Sequence, residues 1–92
     1  METCRVHLKI EGQVQGVYYR AFTSNVAVKR NLNGWVRNLP DGRVEVVFEG
    51  SRQCIEQGIQ ECRKGPFGSR VTDMGISWDE PPEGLSGFEI RY

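Results

Sequence analysis

Hydrophobic and polar positions alternate at the start of the chain. In residues 5–13, RVHLKIEGQ, Val6, Leu8 and Ile10 are interleaved with Arg5, His7, Lys9 and Glu11, a period of two that predicts a strand with one buried face. The period then changes. Phe22 and Val26 stand four apart within residues 20–30, with Tyr19 before them and Ala27 beside them, which predicts a helix. Leu32 closes its apolar stripe, and Asn31 falls where a helix can stop on a left-handed residue. Further on, GWVRNLPDGRVEVVFEG places two β-rich runs around Pro40-Asp41-Gly42, and Asp-Gly between such runs signals a hairpin. Val44, Val46 and Phe48 are expected to face inward and Glu45, Val47 and Glu49 outward.

Ser51 reads as the N-cap of a second helix, which carries Ile55 and Ile59 four apart with Cys54 and Cys62 beside them. Gly58 weakens that helix by about 1 kcal/mol relative to alanine, and Gly65-Pro66 ends it. Val71, Met74, Ile76 and Trp78 mark a strand over residues 70–79, DEPPEG reads as a loop, and GFEIRY carries Phe88, Ile90 and Tyr92 as a final strand. The resulting order is β-α-β-β-α-β with one extra short strand. It predicts an α+β sandwich in which two helices cover one face of an antiparallel sheet.

Composition narrows the picture. A length of 92 residues predicts one domain, residues 1–92, and 38% hydrophobic with 26% charged residues suits a globular chain. Twelve basic and twelve acidic side chains cancel, which argues against a nucleic-acid partner, since such proteins usually carry a basic excess. No apolar run is long enough to span a membrane. The stretch METCRVHLKI lacks the apolar core of a signal peptide, so a cytoplasmic location is expected. Cys54 and Cys62, eight residues apart on one predicted helix, would lie about 12 Å from each other, beyond the ~7 Å reach of a disulfide. Thiols in a reducing compartment are expected, with a bridge from Cys4 to one helix cysteine left open.

The chemistry concentrates in GQVQGVYYRAF, Gly12 to Phe22. It is neither a Walker A loop nor a dinucleotide fingerprint, because the spacing and the Lys-Ser/Thr pair are missing. It joins a strand end to a helix start, where backbone amides lack partners and carry the positive end of the helix dipole. Successive N–H groups in such a turn converge on an anion. Arg20 would add a planar fork able to hold two phosphate oxygens. By itself the stretch also reads as turn glycines followed by a solvated arginine. Gln13 and Gln15 read as solvated side chains, and Tyr18 and Tyr19 as packing residues, one of them able to shape a pocket wall. Asn38 is the second unusual position, since asparagine is depleted in strands yet follows Trp35, Val36 and Arg37. It is either the start of the hairpin loop or a neutral group that orients a water. His7, alone on a polar strand face, is assigned no catalytic role.

GQVQGVYYRAF, followed by NLNGWVRNLPDGRVEVVFEG, GPFGSRV and the tail FEIRY, closely resembles the acylphosphatase family over nearly the whole chain. The resemblance implies a ferredoxin-like βαββαβ fold and hydrolysis of the carboxyl–phosphate bond of acyl phosphates. It implies that Arg20 binds the substrate phosphate and Asn38 orients the attacking water, with the amides of Gln15, Gly16, Val17, Tyr18 and Tyr19 completing a cradle. Asn31 stands where the family often has glycine, and Ser69 where alanine is usual. No metal and no cofactor are expected, the partner being a small acyl phosphate and the chain a monomer. A non-catalytic anion-binding or RNA-binding ferredoxin-like module is the alternative. RNA recognition would need exposed aromatics on the central strands, where RVEVVFEG offers only Phe48, in register with the core. A carbamoyl-phosphate-handling domain, of the kind that begins larger maturation proteins, is a third reading.

Overall fold

The computed structural model describes residues 2–78 and 80–92. Strands β1 (Cys4–Gln13), β2 (Asn33–Asn38), β3 (Val44–Gly50), β4 (Arg70–Ser77) and β5 (Phe88–Arg91) form one sheet in the order β4-β1-β3-β2-β5. Helices α1 (Tyr19–Lys29) and α2 (Arg52–Lys64) interleave with them in the expected order. The strand predicted over residues 70–79 ends at Ser77, and Asp79 lies outside the described residues. Four strands pair antiparallel, as the pattern predicts, whereas β5 lies parallel to β2 and makes the sheet mixed. A four-residue strand at the end of the chain has no periodicity signal for its partner, so its direction comes from where α2, β4 and the loop after them deliver it.

The helix-facing side of the sheet aligns Leu8, Val46, Val36 and Ile90 in one row across four strands. Val6, Ile10, Val44, Phe48 and Met74 extend it, packed with Tyr19, Ala27, Leu32, Ile55, Ile59 and Cys62. Gly58 has a packing role there. A Cβ at that position would lie 3.0 Å from Leu32 Cδ1 and 3.4 Å from Phe48 Cε2, so its cost in helix propensity is the condition for α2 to approach the sheet. Ser51 caps α2 by accepting from the Cys54 amide at 3.2 Å, and Asn31 is left-handed at φ 56°, both as the sequence predicts. Cys4, Cys54 and Cys62 are free thiols.

The other face departs from the expected polar surface. Glu45, Val47 and Glu49 are buried, so β3 is covered on both sides. Its neighbours β1 and β2 supply long charged side chains that lie over it. His7 Nε2 and Glu45 Oε2 are 2.6 Å apart, and Arg37 Nε donates to the same carboxylate. Arg5 Nη1 donates to Glu49 at 2.8 Å, and the Glu49 carboxylate also accepts the backbone N–H groups of Glu83, Gly84 and Leu85. Residues 83–85 thus strap over this face before the chain enters β5.

Candidate active site

Strand direction creates the site. β1 and β2 both run antiparallel to β3, so they point the same way, and β5 runs with β2. The carboxyl ends of β1, β2 and β5 therefore gather at one end of the sheet. A cleft of about 380 Å³ opens there, lined by Val14, Gly16, Tyr18, Tyr19, Arg20, Ala21, Asn38, Ile90 and Tyr92. Residues 14–18 leave β1, Asn38 ends β2, and Ile90 and Tyr92 come from β5 and the residue after it. Arg20 and Asn38, 18 residues apart in sequence, face one cavity.

The loop from Val14 to Tyr18 is built from alternating backbone conformations. Gly16 has φ 74° and Tyr18 φ 59°, both left-handed. Tyr18 stands at the N-cap of α1 with no side chain capping the helix, so the helix opens toward the cleft without an internal acceptor for its free amides. Tyr19 anchors this start. Its ring is buried, and its hydroxyl donates to the Cys62 carbonyl at 2.6 Å, tying the first turn of α1 to the last turn of α2. Burial pushes the Tyr19 hydroxyl pKa far above its ordinary value and pushes the Cys62 thiol up to about 12, which favours the protonated form of both. Tyr18 projects into solvent at the rim and Tyr19 packs, which separates the two tyrosines that the sequence leaves together.

The two glycines of the opening stretch have different duties. Gly12 lies in β1 at a register shift against β4, with φ 128°, and a Cβ there would lie 1.9 Å from the Arg70 carbonyl oxygen. It serves the approach of two strands. Gly16 has open space around its Cα, and its requirement is the left-handed backbone alone.

Arg20 lies in the first turn of α1. Its Nη1 donates to the Arg91 carbonyl at 3.3 Å, and its guanidinium carbon lies 4.6 Å from the centre of the Tyr92 ring. Arg5, Arg30, Arg37, Arg43 and Arg52 each pair with a carboxylate, whereas Arg20 has none within ion-pair distance among the described residues. Its donors are held in place by the end of the chain and remain available to an anion. Asn38 is oriented inward. Its Oδ1 is buried and has no hydrogen-bond partner among the described residues, an arrangement that costs free energy unless a water or substrate group occupies the position.

Gln15 and Val17 lie in the same loop without lining the cleft. Val17 packs against the core. The Gln15 side chain is not solvated as the sequence suggests. Its Nε2 donates to the carbonyls of Leu39 and Arg43, each at 2.9 Å. Ile90 and Tyr92 are absent from the residues the loop and strand motifs single out, although both lie in the final alternating segment. Among the described residues no cluster of His, Cys, Asp and Glu has the arrangement of a metal site.

A family model described as acylphosphatase matches residues 6–90. The chain belongs to the acylphosphatase family. It is 51% identical over 87 residues to a protein named acylphosphatase from Natronomonas pharaonis, covering 95% of this chain and 94% of that one. The crystal structure of acylphosphatase from Bacillus subtilis superposes with a TM-score of 0.94 at 35% identity, covering 99% of this chain and 100% of that one. The crystal structure of full-length HypF in its phosphate- and nucleotide-bound form matches 99% of this chain with only 12% of its own length, at 26% identity and a TM-score of 0.89. The acylphosphatase fold thus also occurs as a small part of a much larger chain. The structure is that fold: a ferredoxin-like sheet with both helices on one side and a fifth strand at its edge.

Proposed function

We propose that this acylphosphatase hydrolyses acyl phosphates to a carboxylate and inorganic phosphate in the cleft between Arg20 and Asn38. The observation that carries the reading is their convergence. An arginine with no carboxylate partner and a buried amide oxygen with no hydrogen-bond partner, both among the described residues, face the same small cavity beside a helix start with no side-chain cap. In this reading Arg20 and the amides of Gln15, Gly16, Val17, Tyr18 and Tyr19 hold the phosphate, and Asn38 Oδ1 accepts a hydrogen bond from the attacking water.

The chemistry suits these groups. An acyl phosphate leaves as a carboxylate, whose conjugate acid has a pKa of about 4–5, like that of glutamate, so its departure needs no general acid at neutral pH. Charge on the phosphoryl oxygens does need stabilising, and phosphoryl transfer depends chiefly on positioning and electrostatics. The water oxygen bonds to phosphorus as the bond to the acyl oxygen breaks. The electron pair leaves on the carboxylate, and the water's proton passes to a phosphoryl oxygen, since an amide side chain is no base. Each preorganised donor is worth about 10²–10³ in rate.

The decisive experiment compares hydrolysis of acetyl phosphate in EDTA by the wild type, Arg20→Ala and Asn38→Ala. Arg20→Ala should lose competitive inhibition by inorganic phosphate together with turnover. Asn38→Ala should keep phosphate inhibition within about twofold and lose about 10²-fold or more in kcat. Full turnover by Asn38→Ala would refute the water-orienting role, and no turnover by the wild type would refute the reaction. Carbamoyl phosphate assayed beside acetyl phosphate tests the third reading of the sequence. The RNA-binding alternative finds little support: Phe48 is buried under the helices, and the Trp35 ring on the opposite face carries the guanidinium groups of Arg37 and Arg91 over it. No helix among the described residues is long and apolar enough to cross a membrane. A cytoplasmic, monomeric, single-domain protein over residues 1–92 is our reading, which a sizing column tests for the oligomeric state.

A further inference from the structure

Gln15 connects the two halves of the cleft. It belongs to the loop after β1, whereas the carbonyls that accept from its Nε2, those of Leu39 and Arg43, frame the β2–β3 turn. The same two residues close that turn themselves, since the Leu39 amide donates to the Arg43 carbonyl at 2.8 Å and the Gly42 amide donates to the Leu39 carbonyl at 3.2 Å. Leu39 follows Asn38 directly. β1 and β2 are not neighbours in the sheet, because β3 lies between them. The hairpin turn therefore sits in the gap that Gln15 spans. The side chain is half-buried although its residue lies outside the cleft lining. Both N–H groups of one amide are committed, so the hairpin is held at two points rather than one.

We propose that the Gln15 side chain is a positioning residue that fixes Asn38 relative to the phosphate loop, so that water bound by Asn38 lines up with phosphate held by the loop and Arg20. The inference rests on the water-orienting reading of Asn38. Arg20 approaches the cleft from α1 and is tethered by Arg91 and Tyr92 on the β5 side of β2, not by the β2–β3 turn that Gln15 holds. Losing the clasp should therefore leave phosphate binding intact and misalign the water. A misplacement of about 1 Å in a reacting geometry can cost about 10²-fold in rate.

Gln15→Met keeps the length of the side chain and removes both donors. Its kcat for acetyl phosphate should fall between about tenfold and a hundredfold, with the inhibition constant for inorganic phosphate within about twofold of wild type. Adding Gln15→Met to Asn38→Ala should cost little beyond Asn38→Ala alone, because effects routed through one group are not additive. Gln15→Glu gives an independent signature. Its carboxylate would oppose two carbonyl oxygens, whereas its protonated form restores one donor, so its kcat relative to wild type should rise as pH falls from 7 toward 5. That variant also serves if Gln15→Met does not fold. Wild-type kcat in Gln15→Met, an increase in the phosphate inhibition constant that accounts for the whole loss, multiplicative losses in the double variant, or a pH-independent ratio for Gln15→Glu would each overturn the proposal. Wild-type turnover by Asn38→Ala would instead overturn the reading on which it rests.

Discussion

Replacing Glu49 by glutamine tests the strap over the open face of the sheet. The Glu49 carboxylate is fully buried; one oxygen accepts from Arg5 and the Glu83 amide, the other from the amides of Gly84 and Leu85. Every group around it is a donor. An amide in its place has one oxygen and one NH2, so in either orientation two donors face two others. Hydrogen bonds to a charged group contribute about 1.5–3 kcal/mol each, and breaking a buried ion pair costs about 3–5 kcal/mol. Glu80 and Glu83 approach Arg5 at 3.7 and 3.4 Å and offset part of its loss, which places the cost near 3 kcal/mol, the lower end of that range. For a domain of this size Tm should fall by roughly 12–24 °C.

Thermal and urea denaturation at pH 7 measure this, and hydrogen exchange at residues 83–85 reads the strap directly. The gap between wild type and variant should also depend on pH. Burial alone would raise the Glu49 pKa, but the Glu83 and Leu85 amides and Arg5 outweigh it and hold the carboxyl below its ordinary value. A depressed folded-state pKa contributes stability that is fully present above the unfolded value of about 4.3 and is lost as pH falls through the folded value. The gap should therefore be widest near neutrality and close in acid. A loss under about 1 kcal/mol at pH 7 with the strap amides still protected would refute the reasoning, because the donors would then have found other partners.

Gly12→Ala should destabilise the fold by more than about 2 kcal/mol, since its Cβ would meet the Arg70 carbonyl at 1.9 Å in a left-handed backbone; a urea midpoint equal to wild type would contradict the packing role. Gly16→Ala meets no atom and should cost only about 1 kcal/mol in stability, while kcat/KM for acetyl phosphate falls much further as the loop relaxes; equal losses in both would refute its place in the cradle. Tyr19→Phe leaves the Cys62 carbonyl without its buried donor and should lower stability by about 1–2 kcal/mol by denaturant titration. Gly58→Ala should fail to deliver the gain of about 1 kcal/mol that helix propensity offers, because Leu32 and Phe48 occupy the space its methyl needs; a Tm increase would show that they can yield.

The elements themselves were legible because side-chain direction is a local property. Alternation in RVHLKIEGQ, the switch to a four-residue spacing after Tyr19, Asp41-Gly42 and the Ser51 cap each report on neighbouring residues, and the structure places strands, helices, hairpin and cap accordingly. Arg20 and Asn38 stand out by residue type, a forked cation at a predicted helix start and an amide where a strand disfavours one. By type alone, however, each also reads as an ordinary surface or turn residue, and it is the resemblance to the family that implies their roles. What the sequence could not decide was every relation set by strand order and register. The parallel docking of β5 brings Ile90 and Tyr92 to the cleft. The crossing of charged side chains buries Glu45 and Glu49 on a face that alternation marks as polar. The gap between β1 and β2 turns Gln15 from a loop side chain into a clasp on the hairpin. These contacts join residues 24 to 54 positions apart, and no local period carries information about which distant carbonyl or carboxylate a donor will meet.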